Sequence, residues 1–292
     1  MQITVRLSSL LACVFISYNA QIAAAELSVA ATIKPLQAIA QAVMQDRGSV
    51  TTLIGSRDSL HNPTLTPGDR LAIEKADLLL WAGPDFEIQF ADVYQENIGR
   101  KPVLAATEVS GLTIHEGNDG RADIHFWLNT NNALLIAREL VDYLTEIEPN
   151  YERSFQSGYR DFELQISKLE QTINESLSPF PDVPFLVFHD AFQYFEKQFN
   201  LTAGEVLLRD PEILPGMREL LNIRRKVQSL PVSCILMERG GNEELVSTIF
   251  VNKVPYLEFV DLFGFEVEDS AMAYLEIISG VADSFHACLK QE

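Results

Sequence analysis

Three histidines stand where an open α/β sheet presents its ligand-binding edge. His189 follows the apolar run "VPFLVF" and precedes "DAFQYFEKQFNL", in which Phe192, Phe195 and Phe199 recur at helical spacing. This order puts it at the carboxyl end of a strand, in the turn into a helix that Asp190 is expected to cap. His61, in "DSLHNPTLTPGD", follows the strand "SVTTLI" through a loop carrying Gly55, Asn62 and Pro63. His125, in "ADIHFWLN", follows a loop of Gly, Asn and Asp and precedes a long helix beginning near Asn129. Both separations are 64 residues, but the local sequences differ, so the equality is no repeat.

Neutral imidazole is a borderline ligand, and three of them favour Zn²⁺ over Mn²⁺ or Mg²⁺, which prefer oxygen-rich shells. Asp261 in "EFVDLFGF" is the candidate fourth ligand, because it too lies just after a strand pattern, "VPYLEFV". Spacing alone leaves open three unrelated capping or surface histidines. His115 with Glu116, Asp119 and Asp123 offers a loose, weak metal site, or simply a solvated acidic loop. A secreted zinc hydrolase is the alternative from another class, since catalytic zinc keeps three protein ligands and an open position. It lacks a recognisable base: there is no H-E-x-x-H and no G-x-S-x-G, and Glu87 or Asp190 are the only obvious candidates. Trp81 is expected to pack between lobes and His286 to face solvent.

The elements that must position these residues form two α/β lobes. "LSVAATI", "SVTTLI", "DLLLW" and "KPVLAAT" alternate with helical patterns in the first half; "VPFLVF", "GEVLL", "VSCILME" and "VPYLEFV" do so in the second. Near-continuous apolar strands alternating with helices predict parallel sheets covered by helices on both faces. Between them Tyr151, Phe155, Tyr159, Phe162, Ile166, Leu169 and Ile173 fall at spacings of three and four. This predicts one amphipathic helix of about 30 residues, roughly 45 Å long, joining the lobes as a rigid spine. The expected organisation is a signal peptide over 1–25, an N-terminal lobe over 26–149, a linking helix over 150–178 and a C-terminal lobe over 179–292.

The signal peptide is read from Arg6, an apolar run from Leu7 to about Tyr18, and Ala23, Ala24 and Ala25 before Glu26. Leu10 to Cys13 faintly resemble a lipoprotein cleavage box, but the apolar run continues past Cys13. No later stretch approaches the roughly 20 unbroken apolar residues that cross a bilayer, so a soluble, exported product is expected. Export leaves Cys234 and Cys288 in an oxidising compartment that favours joining them, pinning the C-terminal helix to its sheet. A two-thiol metal site is the rival, unsupported by any C-x-x-C. The formal charge of −19 becomes −20 without Arg6, and Lys and Arg gather into no patch, which argues against nucleic acid as a partner.

Several of these segments together carry a family resemblance. "SLHNPTLTPGD" resembles the first metal-binding loop, "ADIHFWLN" the second and "FLVFHDAFQYFEKQFNL" the third, of the ZnuA-like (cluster A-I) periplasmic zinc-binding proteins that feed ABC importers. "RDPEILPG" before a helix, the central helix and the late cysteines agree, so the resemblance covers essentially all of 26–292. It implies His61, His125 and His189 as zinc ligands, with a variable fourth position for Asp261 or water. It also implies a periplasmic, non-enzymatic monomer that delivers Zn²⁺ to a membrane permease. Imidazoles must be neutral to bind, so affinity is expected to fall as pH drops through about 6.5. A manganese or iron carrier on the same scaffold is disfavoured by histidine at the third position, and a zinc scavenger without a transporter is a further alternative. Two departures stand out. The long His-, Asp- and Glu-crowded loop of many members is reduced to "HEGNDGRAD", and Leu60 occupies a position that is acidic in some.

Overall fold

The computed structural model describes residues 26–55, 64–84, 86–117, 120–208, 211, 213–250 and 254–291. The signal-peptide expectation at 1–25, His61 and Asp119 lie outside the described residues. Strands β1 (Leu27–Ala31), β2 (Gly48–Thr52), β3 (Leu78–Trp81) and β4 (Val103–Ala105) form one parallel sheet in the order β2-β1-β3-β4. β5 (Leu186–His189), β6 (Glu205–Leu208), β7 (Cys234–Glu238) and β8 (Tyr256–Val260) form a second parallel sheet in the equivalent order β6-β5-β7-β8. All eight fall on the apolar runs of the sequence. The reason is visible in the central strands: every residue of β3 and β5 is buried, because helices cover both faces.

The shared strand order fixes where a ligand can sit. In each sheet the chain leaves the first strand in one direction and returns to pair on its other side. The crevice at the carboxyl ends of β1 and β3, or of β5 and β7, is therefore the topological switch point.

The helices are α1 (Lys34–Met44), α2 (Pro67–Lys75), α3 (Ala91–Asn97), α4 (Thr130–Ile147), α5 (Glu152–Leu177), α6 (Gln193–Gln198), α7 (Met217–Val227), α8 (Glu243–Ile249) and α9 (Ala273–Leu289). The spine is α5, 26 residues long after a 3-10 turn at Pro149–Tyr151, or about 39 Å at 1.5 Å per residue. Phe155, Phe162, Ile166, Ile173 and Leu177 form its buried stripe, packed against α1 and α4 of the first lobe and α9 of the second. Gly158 sits in that stripe because a Cβ there would lie 2.2 Å from the Val43 carbonyl oxygen of α1. α1 also contacts α9 directly, so one apolar core runs through both lobes. A smaller core, built on Leu186, Phe188, Ile235 and Met237, lies within the second lobe.

Cys234 in β7 and Cys288 in α9 are joined, with Cα atoms 5.4 Å apart, and pin the terminal helix to its sheet as expected. Other expectations need correction. α6 begins at Gln193 with Phe192 at its N-cap, so Asp190 does not cap it; the Ala191 amide bonds back to the His189 carbonyl at 3.0 Å and bends the chain before the helix starts. His286 is half-buried, its ring 5.6 Å from that of Phe180. Trp81 stacks on Tyr94 of α3 at 4.2 Å, inside the first lobe rather than between lobes. Among the described residues no helix is long and apolar enough to cross a membrane.

Candidate metal centre

His189 closes β5 and Glu238 closes β7, so the switch point of the second sheet carries an imidazole and a carboxylate side by side. His189 Nδ1 lies 2.6 Å from Glu238 Oε1. His189 is 4% exposed; burial alone would lower its pKa, but the facing Glu238 carboxylate outweighs it and the pKa is raised.

His125 arrives from the first lobe, at the start of a short 3-10 turn, Phe126–Leu128, that leads into α4. Asp123, two residues earlier, folds its carboxylate back over it: Oδ1 accepts from the His125 amide at 2.9 Å and contacts Nδ1 at 2.8 Å. This is the local side-chain-to-backbone turn that Asp favours. Burial would raise Asp123, but the His125 ring and its hydrogen bonds hold it below the usual carboxylate range. The segment is then fastened to the second lobe. Trp127 Nε1–H donates to the Leu262 carbonyl at 3.1 Å, and the Tyr274 hydroxyl donates to the Trp127 carbonyl at 2.7 Å.

The ring centroids of His125 and His189 are 5.2 Å apart, at an interplanar angle of 58°. Each ring has a carboxylate on its Nδ1 side. That arrangement selects the tautomer with the proton on Nδ1 and the lone pair on Nε2, which is how metal-ligating histidines are commonly oriented. A buried pair of imidazoles backed by two carboxylates offers nitrogen donors beside negative charge, a combination suited to a borderline divalent cation.

Of the four residues expected to bind metal, the structure brings His125 and His189 together. His61 lies outside the described residues. Asp261 follows β8 beside the Leu262 carbonyl that Trp127 uses; its Oδ1 accepts from the Gly264 amide at 2.8 Å and its Oδ2 from the Glu266 amide at 2.9 Å. Each oxygen keeps a second lone pair. Among the described residues no group of three or more His, Cys, Asp and Glu stands close enough to hold a metal. Glu87 makes its hydrogen bond inward, its Oε2 accepting from the Ala82 amide at 3.0 Å, and burial lifts its pKa to about 7. His115 is kept below its ordinary pKa by burial and by Lys197, and its ring lies 4.6 Å from that of Tyr194.

Sequence reasoning missed Glu238 and gave Asp123 to a solvated loop. Glu238 occupies the same kind of position that singled out His189, the last residue of a central strand. Asp123 is only 6% exposed. Its neighbour two residues on was the available signal.

The family model for ZnuA, zinc-uptake complex component A, periplasmic, matches residues 29–288. The chain belongs to the ZnuA family. It is 28% identical to the high-affinity zinc uptake system protein ZnuA of Brucella suis over 307 aligned residues, covering 90% of this chain and 92% of that protein. Identity to the protein of the same name from Yersinia pestis is 24%, over 91% of this chain and 92% of that one. Among solved structures, a crystal structure of ZnuA superposes with a TM-score of 0.79 at 18% identity, covering 90% of this chain and 99% of the other. The periplasmic zinc-binding protein TroA of Treponema pallidum gives the same TM-score, identity and coverage. Both share the fold described above: two helix-covered parallel sheets on a long helix.

Proposed function

We propose that the mature chain captures Zn²⁺ in the periplasm at a site shared by the two lobes and delivers it to the membrane permease of an ABC importer. His61 and His125 are the ligands of the first lobe and His189 that of the second, with Asp261 or water completing the shell. Membership of a zinc-uptake family and the names of the relatives support the cargo and the transport role. The protein acts by binding, without a catalytic step.

The observation that carries the reading is the approach of the two histidines. At a Zn–N distance of about 2.0–2.1 Å and a tetrahedral angle, two imidazoles on one ion have ring centroids about 5 Å apart. The separation of His125 and His189 is 5.2 Å. The carboxylates on both Nδ1 atoms direct Nε2 toward the ion.

The test is a competitive zinc titration of metal-stripped residues 26–292, beside His189→Ala and with manganese as competitor. Tight one-to-one binding that collapses in the variant and resists manganese is the expected result. Absence of tight binding, or binding indifferent to His189, refutes the site.

A further inference from the structure

We propose that Tyr194 is a positioning residue of the zinc site: its single hydroxyl seats the His125 loop of the first lobe on α6 of the second and holds the two half-sites in register. The proposal rests on the zinc reading above.

Tyr194 is fully buried on α6, five residues after His189 in the chain. Its hydroxyl accepts from the His115 amide at 2.9 Å and donates to the Asp123 carbonyl at 2.9 Å. His115 and Asp123 face each other across the base of one hairpin: the Asp123 amide donates to the His115 carbonyl at 2.8 Å, and Glu116 bridges Ala122 in antiparallel fashion. One oxygen therefore bonds both arms of the hairpin where it leaves the lobe. Gln193, the preceding residue of α6, adds a second tie by donating to the Glu116 carbonyl at 3.2 Å.

The path from this hydroxyl to the metal ligand is short. The residue whose carbonyl Tyr194 holds is the residue whose carboxylate holds His125 Nδ1. A shift of the Asp123 backbone moves the acceptor that selects the His125 tautomer. Tyr194 itself rides on the segment that carries His189. The hydroxyl thus links ligands that are 64 residues apart and belong to different lobes. The same geometry makes the two arms, His115–Glu116 and Ala122–Asp123, a clasp that fastens the first lobe to α6 at the site.

The experiment uses the full mature chain, Tyr194→Phe, and Phe199→Leu as a control that loosens a neighbouring buried ring without touching the clasp. Two quantities are read: chelator-driven zinc release by stopped flow, and the histidine ring nitrogens of the metal-free protein by ¹⁵N NMR. Tyr194→Phe should release zinc about tenfold faster, the low end of what outer hydrogen bonds to a metal site contribute, with mixed His125 tautomers. Phe199→Leu should keep the wild-type release rate and the Nδ1–H tautomer. Release by Tyr194→Phe within about twofold of wild type, or an equal change in Phe199→Leu, overturns the proposal. If Tyr194→Phe does not fold, Gln193→Ala decides, with faster release expected and an unchanged rate overturning the clasp. A wild-type protein that binds no zinc through His125 and His189 defeats the functional reading itself; zinc binding with an indifferent Tyr194 defeats the clasp alone.

Discussion

Replacing Glu238 by glutamine isolates the charge behind His189. The amide is nearly isosteric and its oxygen still accepts from Nδ1–H, so what disappears is one negative charge 2.6 Å from the ring. With Zn²⁺ on Nε2 at about 2.0–2.1 Å, the carboxylate stands on the order of 6 Å from the ion. At an effective dielectric constant of about 20, a −1/+2 pair at that distance attracts by about 5 kcal/mol. This is an upper figure, because the Glu238 side chain is 20% exposed and water screens it. Orienting carboxylates behind metal-bound histidines contribute about 10–100-fold in affinity, or about 1.4–2.8 kcal/mol, and Glu238→Gln should fall in that range. The assay is zinc competition against a chelator of known affinity at fixed pH. Glu244→Gln, the same charge change on exposed α8, serves as the control and should move affinity by less than about twofold. A natively folded Glu238→Gln protein with affinity within about twofold of wild type would refute the assignment of His189 as an oriented ligand.

Replacing both Cys234 and Cys288 by serine opens a cross-link spanning 54 residues and should lower unfolding free energy by up to about 4 kcal/mol, read by denaturant titration, with zinc stoichiometry retained. Gly158→Ala puts a methyl group against the backbone of α1 and should destabilise the protein by about 1–3 kcal/mol by forcing the spine away, although alanine is the better helix former; an unchanged melting temperature would disprove the close contact. Burial raises Glu87 and Glu196 from 4.5 to about 7, so the folded state keeps protons that the unfolded chain releases. Their contribution is full below pH 4.5 and is lost as pH rises through 7, by up to about 3 kcal/mol for each group. Glu87→Gln and Glu196→Gln should therefore gain on wild type between pH 5 and pH 8 in guanidinium titrations, since each amide oxygen can still accept the Ala82 or Gly204 amide.

How much of the fold and the site is legible in the sequence depends on how local the cause is. Strands such as β3 and β5 are readable because parallel strands covered on both faces are continuously apolar, and the spine because Phe155, Phe162, Ile166 and Ile173 keep a helical period. His189 is readable from its place at a strand end. Glu238 satisfies the same rule, but a carboxylate at a strand end is too common in an acidic chain to stand out as a histidine does. Asp123 is misread for a different reason. Its interaction with His125 is local, but its burial comes from Tyr194 and Gln193 on α6, about 70 residues away, and nothing in "GNDGRAD" announces that cover. Tyr194 is hidden among the phenylalanines of "FQYFEKQF", where helical spacing signals a core face and says nothing of a hydroxyl that faces a hairpin.

The architecture also constrains how cargo can leave. A hinge that swung the lobes apart would have to separate α1 from α9 and break the Trp127–Leu262, Tyr274–Trp127 and Lys34–Asp269 contacts together. Because one apolar core runs through both lobes, each ~200 Å² of it laid open would cost about 5 kcal/mol, before any hydrogen bond is counted. Freeing the His115–Glu116 and Ala122–Asp123 arms from α6 parts polar contacts instead. Gly120 and Arg121 are exposed, and among the described ties to α6 are the two bonds of the Tyr194 hydroxyl and one from the Gln193 side-chain amide. These three hydrogen bonds contribute about 1.5–4.5 kcal/mol net, beside the Gln193 contact with the Asp123 carboxylate and the His115–Tyr194 ring contact. On the proposed zinc site, release follows from loosening Asp123, and with it His125, while His189 and Glu238 keep their places at the ends of β5 and β7.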